Sequence, residues 1–165
     1  MSKPLLLLDI DGVVLPCPDL SAAELAAGGP VEWRSPLPAE MPARVQRLAS
    51  MFEIVWCTLW EAKANQELAP LLGIDPCETT LRFPATTAGD WESETFKLAS
   101  VRHYAAEHAG RPIVWVDDDL FLDAFEWAAQ RSAAGTLTRV VRTDPESGLD
   151  ERAFGVLARF ASACG

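Results

Sequence analysis

Leu5-Leu6-Leu7-Leu8-Asp9-Ile10-Asp11-Gly12-Val13 is the stretch whose reading decides the fold. Successive leucines leave no polar face, the pattern of a strand buried on both sides within a parallel sheet. The run stops at two aspartates one residue apart, and Gly12 then lets the chain turn sharply. Loops at the carboxyl ends of parallel strands are the ones free to face a ligand. Paired carboxylates at such a point are costly unless a cation or a reaction uses them.

Working outward, strand-like and helix-like stretches alternate. Phe52–Cys57 reads as a second buried strand, Thr79–Phe83 as a third, Ile113–Val116 as a fourth and Thr136–Val141 as a fifth. Met41, Val45, Leu48 and Phe52 recur at helical spacing. Further helices are expected over Glu61–Leu72, Ser93–Ala109, Leu120–Ala134 and Leu149–Ala163, the first three closed by Gly73, Gly110 and Gly135. This alternation predicts an α/β fold, a Rossmann-like three-layer sandwich around a mainly parallel five-stranded sheet. One domain over 1–165 is expected. The stretch 14–40, with Pro16, Pro18, Pro30, Pro36 and Pro38 and the Gly28-Gly29 pair, reads as an irregular flap with a short helix at Ser21–Ala27. It is too short for a large cap domain.

Composition narrows the partners. The chain has 165 residues, 49% hydrophobic and 23% charged, enough to bury a sizeable core. A net charge of -10 argues against a broad nucleic-acid-binding surface or attachment to an anionic membrane, leaving room only for a local basic pocket. No apolar run approaches the ~18 residues of a membrane span. Cys17, Cys57, Cys77 and Cys164 show no spacing suited to zinc, and structural disulfides are not expected. These features suggest a soluble cytoplasmic protein.

In a parallel sheet the ends of the first, second and fourth expected strands lie along one edge. Asp9, Asp11, Thr58, Asp117 and Asp118 can then converge, with Lys97 near the start of a helix. Clustered carboxylates repel one another, and a hard divalent cation such as Mg²⁺ relieves this. A threonine hydroxyl and a lysine ammonium are suitable donors to phosphate oxygens. One carboxylate is placed to attack phosphorus, forming an aspartyl-phosphate, and another to move a proton.

Asp9-Ile10-Asp11-Gly12-Val13, Thr58, Lys97 and Asp117-Asp118 resemble, in order, the four motifs of the haloacid dehalogenase (HAD) superfamily. Ile54 to Glu61, Trp115 to Leu120 and Thr143-Asp144-Pro145 to Leu149 are similar to a small bacterial subgroup whose domains also occur in multidomain Swiss Army Knife RNA-repair proteins. The resemblance implies a Mg²⁺-dependent phosphatase with Asp9 as nucleophile and metal ligand. It implies that Asp11 gives and takes the proton and ligates the metal through its carbonyl. Thr58 and Lys97 would hold the phosphoryl group, while Asp117 and Asp118 would complete the metal site. Val116 stands where many members have glycine, and Asp119 leaves open which of Asp118 and Asp119 is the second acidic residue. Receiver domains use a similar set of groups, but their lysine follows the last acidic cluster rather than preceding it.

Trp33, Arg34 and Trp60 are candidates for the substrate entrance. Lys63, Asp119, Asp123, His103 and His108 read as structural or solvated. The expected substrate is a phosphomonoester: a small metabolite, a nucleotide or a nucleic-acid end. A homo-oligomer in which a second subunit encloses a small substrate is compatible with the chain. The competing classes are a non-catalytic HAD-like binding or regulatory module and a phosphotransferase whose acceptor is not water.

Overall fold

The computed structural model describes residues 2–17, 37–83 and 95–165. Its elements are β1 Leu5–Leu8, α1 Met41–Met51, β2 Glu53–Trp56, a π-helical turn Ala64–Leu68 running into α2 Ala69–Leu72, α3 Leu98–Glu107, β3 Ile113–Asp117, α4 Leu122–Ala133, β4 Thr138–Arg142 and α5 Glu151–Cys164. The strands form one parallel sheet in the order β2-β1-β3-β4.

The leucines of β1 are all fully buried because each face of the strand meets a different layer. Leu6 and Leu8 join Ile54, Trp56, Val114 and Val116 beneath α1, α2 and α5. Leu5 and Leu7 join Val55, Ile113 and Trp115 beneath α3 and α4. Burying such a side chain contributes roughly 1.5–3 kcal/mol relative to leaving it in water, so this strand alone is a large share of the driving force.

Sheet order sets the position of the functional edge. The chain leaves β1 for β2 on one side, then crosses to place β3 on the other side of β1. That reversal opens a crevice outside the carboxyl ends of β1 and β3, where α/β sheets bind ligands. Leu8 stands level with both Trp56 and Val116, so Asp9 emerges beside Asp117. The Asp9 N–H still donates to the Val116 carbonyl at 3.1 Å, which ties the start of the loop to β3.

Two expectations are corrected. Among the described residues the sheet has four strands, not five: Thr79–Phe83 contributes a single bridge between Trp56 and Thr80. Its hydrogen bonds to β2 are Trp56 N–H to the Thr79 carbonyl and Leu81 N–H to the Trp56 carbonyl, and only Leu81 is buried. One buried side chain supplies too little apolar surface to hold a longer pair. The helix expected over Glu61–Leu72 is π-helical over Ala64–Leu68 and restarts as α2. Pro70 has no N–H to continue an α-helical ladder, and the wider turn ahead of it accommodates that loss.

The short helix expected at Ser21–Ala27 and most of the flap over 14–40 lie outside the described residues. No helix among the described residues is long and apolar enough to cross a membrane.

Candidate active site

Asp9 and Asp117 are carried to the crevice by adjacent strands, and Lys97 comes to them from the N-cap of α3. The Lys97 ammonium lies 2.7 Å from Asp9 Oδ2 and 2.8 Å from Asp117 Oδ2. All three side chains are buried. Burial by itself would lower the lysine, but Asp117 and Asp9 outweigh it and hold the ammonium above its ordinary range.

One ammonium cannot neutralise the acids gathered around it. Oxygens of Asp9, Asp117 and Asp118 all lie within 4.8 Å of one another. With all three ionised, these carboxylates leave two negative charges uncompensated after Lys97 is counted. Burial, and then the charge of Asp9, accordingly push Asp117 upward and raise Asp118 to about 6. An oxygen-only donor set with a deficit of two positive charges fits a hard divalent cation such as Mg²⁺. Asp119 is outside this set: its backbone N–H donates to Asp117 Oδ1 at 3.1 Å.

Asp11 sits in a tight turn held by the Ile10 carbonyl, which accepts from the N–H groups of Val13, Val14 and Leu15. Gly12 takes a left-handed conformation with φ of 69°. A Cβ at this position would collide with the Asp118 carboxylate. Glycine is therefore required both by the turn and by the approach of the acid. The Gly12 carbonyl accepts from the buried Thr143 hydroxyl at 2.9 Å, which fastens the turn to the end of β4.

Trp60 connects the turn to the end of β2. Its indole N–H donates to Asp11 Oδ2 at 2.9 Å, while its backbone N–H donates to Thr58 Oγ1 at 3.3 Å. Asp11 Oδ1 is buried with no hydrogen-bond partner among the described residues. Burial raises the Asp11 carboxyl most, the Trp60 bond opposes it, and the Asp9 charge raises it further. Thr58 is fully buried and accepts from Trp60, and among the described residues its hydroxyl proton has no acceptor, so it can donate to a ligand.

The structure thus gathers Asp9, Lys97, Asp117 and Asp118 directly, and joins Asp11 and Thr58 through Trp60. Trp60 had been expected only at the substrate entrance. Trp33 and Arg34 lie outside the described residues. Lys63 is exposed, His103 faces Glu107 at 3.5 Å, and His108 Nδ1 lies 2.9 Å from the Tyr104 carbonyl.

Three supporting residues escaped the sequence reading. Trp115, taken as plain core, donates its indole N–H to Asp117 Oδ2 at 3.2 Å. Thr95 accepts from the Phe121 N–H and is held by both oxygens of Asp123, which fixes the approach to Lys97. Thr143 lay in a stretch noted only for its likeness to a subgroup. Nothing in the spacing of Thr95 signals its contacts, which reach 26 and 28 positions along the chain, whereas Trp115 and Asp117 stand two apart on one strand and so share a face of the sheet.

Comparison with known proteins agrees with this geometry. A sequence model of one family, described as the HAD domain in Swiss Army Knife RNA repair proteins, matches residues 5–154. No curated protein and no solved structure matches the chain. A match over that span, together with a parallel α/β sheet, means that the chain belongs to this family of HAD domains.

Proposed function

We propose that the protein is a Mg²⁺-dependent phosphohydrolase that passes a phosphoryl group through Asp9. The observation that carries this reading is the buried Lys97 ammonium shared between Asp9 and Asp117 at the switch point of the sheet. Family membership supports a phosphohydrolase-type function. Asp9, Asp117, Asp118 and the Asp11 carbonyl would hold the metal, which supplies positive charge against the phosphate dianion.

The residues divide the work. Asp9 attacks phosphorus, a phosphorus–oxygen bond forms, and the bond to the leaving oxygen breaks. Asp11 delivers a proton to that oxygen, so the product leaves as a neutral alcohol rather than an alkoxide. A water molecule then attacks the phospho-aspartate. Asp11 takes its proton, the bond from phosphorus to Asp9 breaks, and inorganic phosphate departs. Lys97 and the Thr58 hydroxyl hold the phosphoryl oxygens, and the ammonium lessens repulsion between two anions. A module that only binds has no use for a buried carboxyl oxygen left at this point without a partner among the described residues. The substrate class that suits the site is a phosphomonoester, including a nucleotide or a nucleic-acid end.

The test is phosphate release from p-nitrophenyl phosphate in the presence of Mg²⁺. Activity should disappear with EDTA and in Asp9→Asn. Inactivity of the wild type over a broad panel of phosphometabolites and 3′- or 5′-phosphorylated oligonucleotides would overturn the reading.

A further inference from the structure

The described sheet ends at β4, and a cavity of about 310 Å³ lies along that edge, between β4 and the start of α5. Arg139, Arg142 and Arg152 line it, with Phe125 among its apolar walls. In a chain with 14 basic and 24 acidic residues, that cavity is a local reversal of sign. All three arginines are exposed, and among the described residues none forms an ion pair. Asp144 and Asp150 also line the cavity, but each is engaged by backbone. Asp144 Oδ1 accepts from the Glu146 N–H at 2.9 Å, and Asp150 Oδ1 from the Ala153 N–H at 2.7 Å. Arg152 occupies the first turn of α5, where the helix dipole disfavours a cation, so helix stability does not explain its place.

Arg142 joins this cavity to the acidic site. Its Nε donates to the Asp118 backbone carbonyl at 3.0 Å, which leaves the outer guanidinium nitrogens for another acceptor. The side chain therefore spans from the backbone of a candidate metal-site residue to the basic cavity.

We infer that this cavity seats a second phosphate of the substrate, distinct from the one that reacts at Asp9. The inference rests on the phosphohydrolase reading and narrows its substrate class to molecules bearing a second phosphate. Guanidinium groups match phosphate oxygens in paired hydrogen bonds, and Phe125 offers a ring to the base or sugar that carries them. A nucleoside bisphosphate and a phosphate-terminated oligonucleotide both present this chemistry.

Calorimetric titration of the Asp9→Asn protein with Mg²⁺ tests the inference without turnover. The probes are adenosine 3′,5′-bisphosphate against adenosine 5′-monophosphate, and a short 5′-phosphorylated oligothymidylate against thymidine 5′-monophosphate. At least one probe bearing a second phosphate should bind about 10–100-fold tighter than its monophosphate. That preference should collapse in Arg139→Gln/Arg152→Gln, whose exposed positions leave the core untouched. Preference confined to the bisphosphate identifies a small substrate, and preference confined to the oligonucleotide identifies a nucleic-acid end. Equal binding within both pairs, or a preference unchanged in the double variant, overturns the inference. Because this experiment reads binding, a wild type that releases no phosphate would defeat the hydrolase reading separately.

Discussion

The indole N–H of Trp60 donates to Asp11 Oδ2 at 2.9 Å, while Asp11 Oδ1 remains buried without a partner among the described residues. An indole N–H can only donate, so Oδ2 is committed as an acceptor and a carboxyl proton belongs on Oδ1. Trp60 thereby orients the acid as well as holding it.

Trp60→Phe keeps the ring and removes the donor. The expected outcome is a loss that depends on the leaving group. Hydrolysis of an alkyl phosphate, which needs the proton, should fall roughly 10–100-fold, within the range attributed to general acid catalysis. Hydrolysis of p-nitrophenyl phosphate should fall much less. Parallel kcat/KM measurements on the two substrates check this, and equal losses would mean that Trp60 acts only on packing.

Lys97→Met leaves Asp9 and Asp117 buried without their cation. Removing one partner from a buried charged pair typically costs about 3–5 kcal/mol. The variant should melt well below the wild type in EDTA, and Mg²⁺ should recover part of the difference. Phosphatase activity should be lost under both conditions. Thermal denaturation with and without Mg²⁺ separates the stability effect from the chemical one.

Gly12→Ala meets two obstacles, the left-handed backbone and the Asp118 carboxylate. The backbone term alone is about 1 kcal/mol. Displacement of Asp118 should also shrink the rise in melting temperature produced by Mg²⁺. An undiminished rise would show that Asp118 is not needed for metal.

Asp118 gives a pH dependence of defined sign. Its carboxyl is raised from 3.8 to about 6 in the fold, by burial first and by Asp9 second. An acid whose folded value exceeds its unfolded value binds its proton more tightly when folded. Stability without metal therefore declines as pH rises through this window and is flat above it. Asp118→Asn should be more stable than the wild type at pH 7.5 in EDTA, by about 1 kcal/mol once solvent screening of this partly exposed group is allowed for. Near pH 4 the two should melt alike. Mg²⁺ should stabilise the wild type at pH 7.5 more than the variant.

Much of this was legible along the chain. An unbroken leucine run, acids at the ends of Leu5–Leu8 and Ile113–Asp117, and glycines closing the helices imply parallel strands with a functional edge. Asp9, Asp117 and Asp118 needed only that inference to be brought together, whereas Lys97, on a helix, was placed with them by the order of the motifs. Thr79–Phe83 was misread as a full strand because a short polar run carries no count of the partners that will pair with it. The second role of Trp60 was hidden for a related reason: Asp11 lies 49 positions away.

The sequence by itself determined the layered α/β class and the residues able to share a phosphoryl group, because periodicity and strand-end chemistry are local. Tertiary structure alone decided which oxygens share Lys97, which aspartate joins Asp9 and Asp117, and where arginines gather in an acidic chain. Those outcomes depend on distances between strand ends and loops, which arise only when the two faces of β1 are buried together.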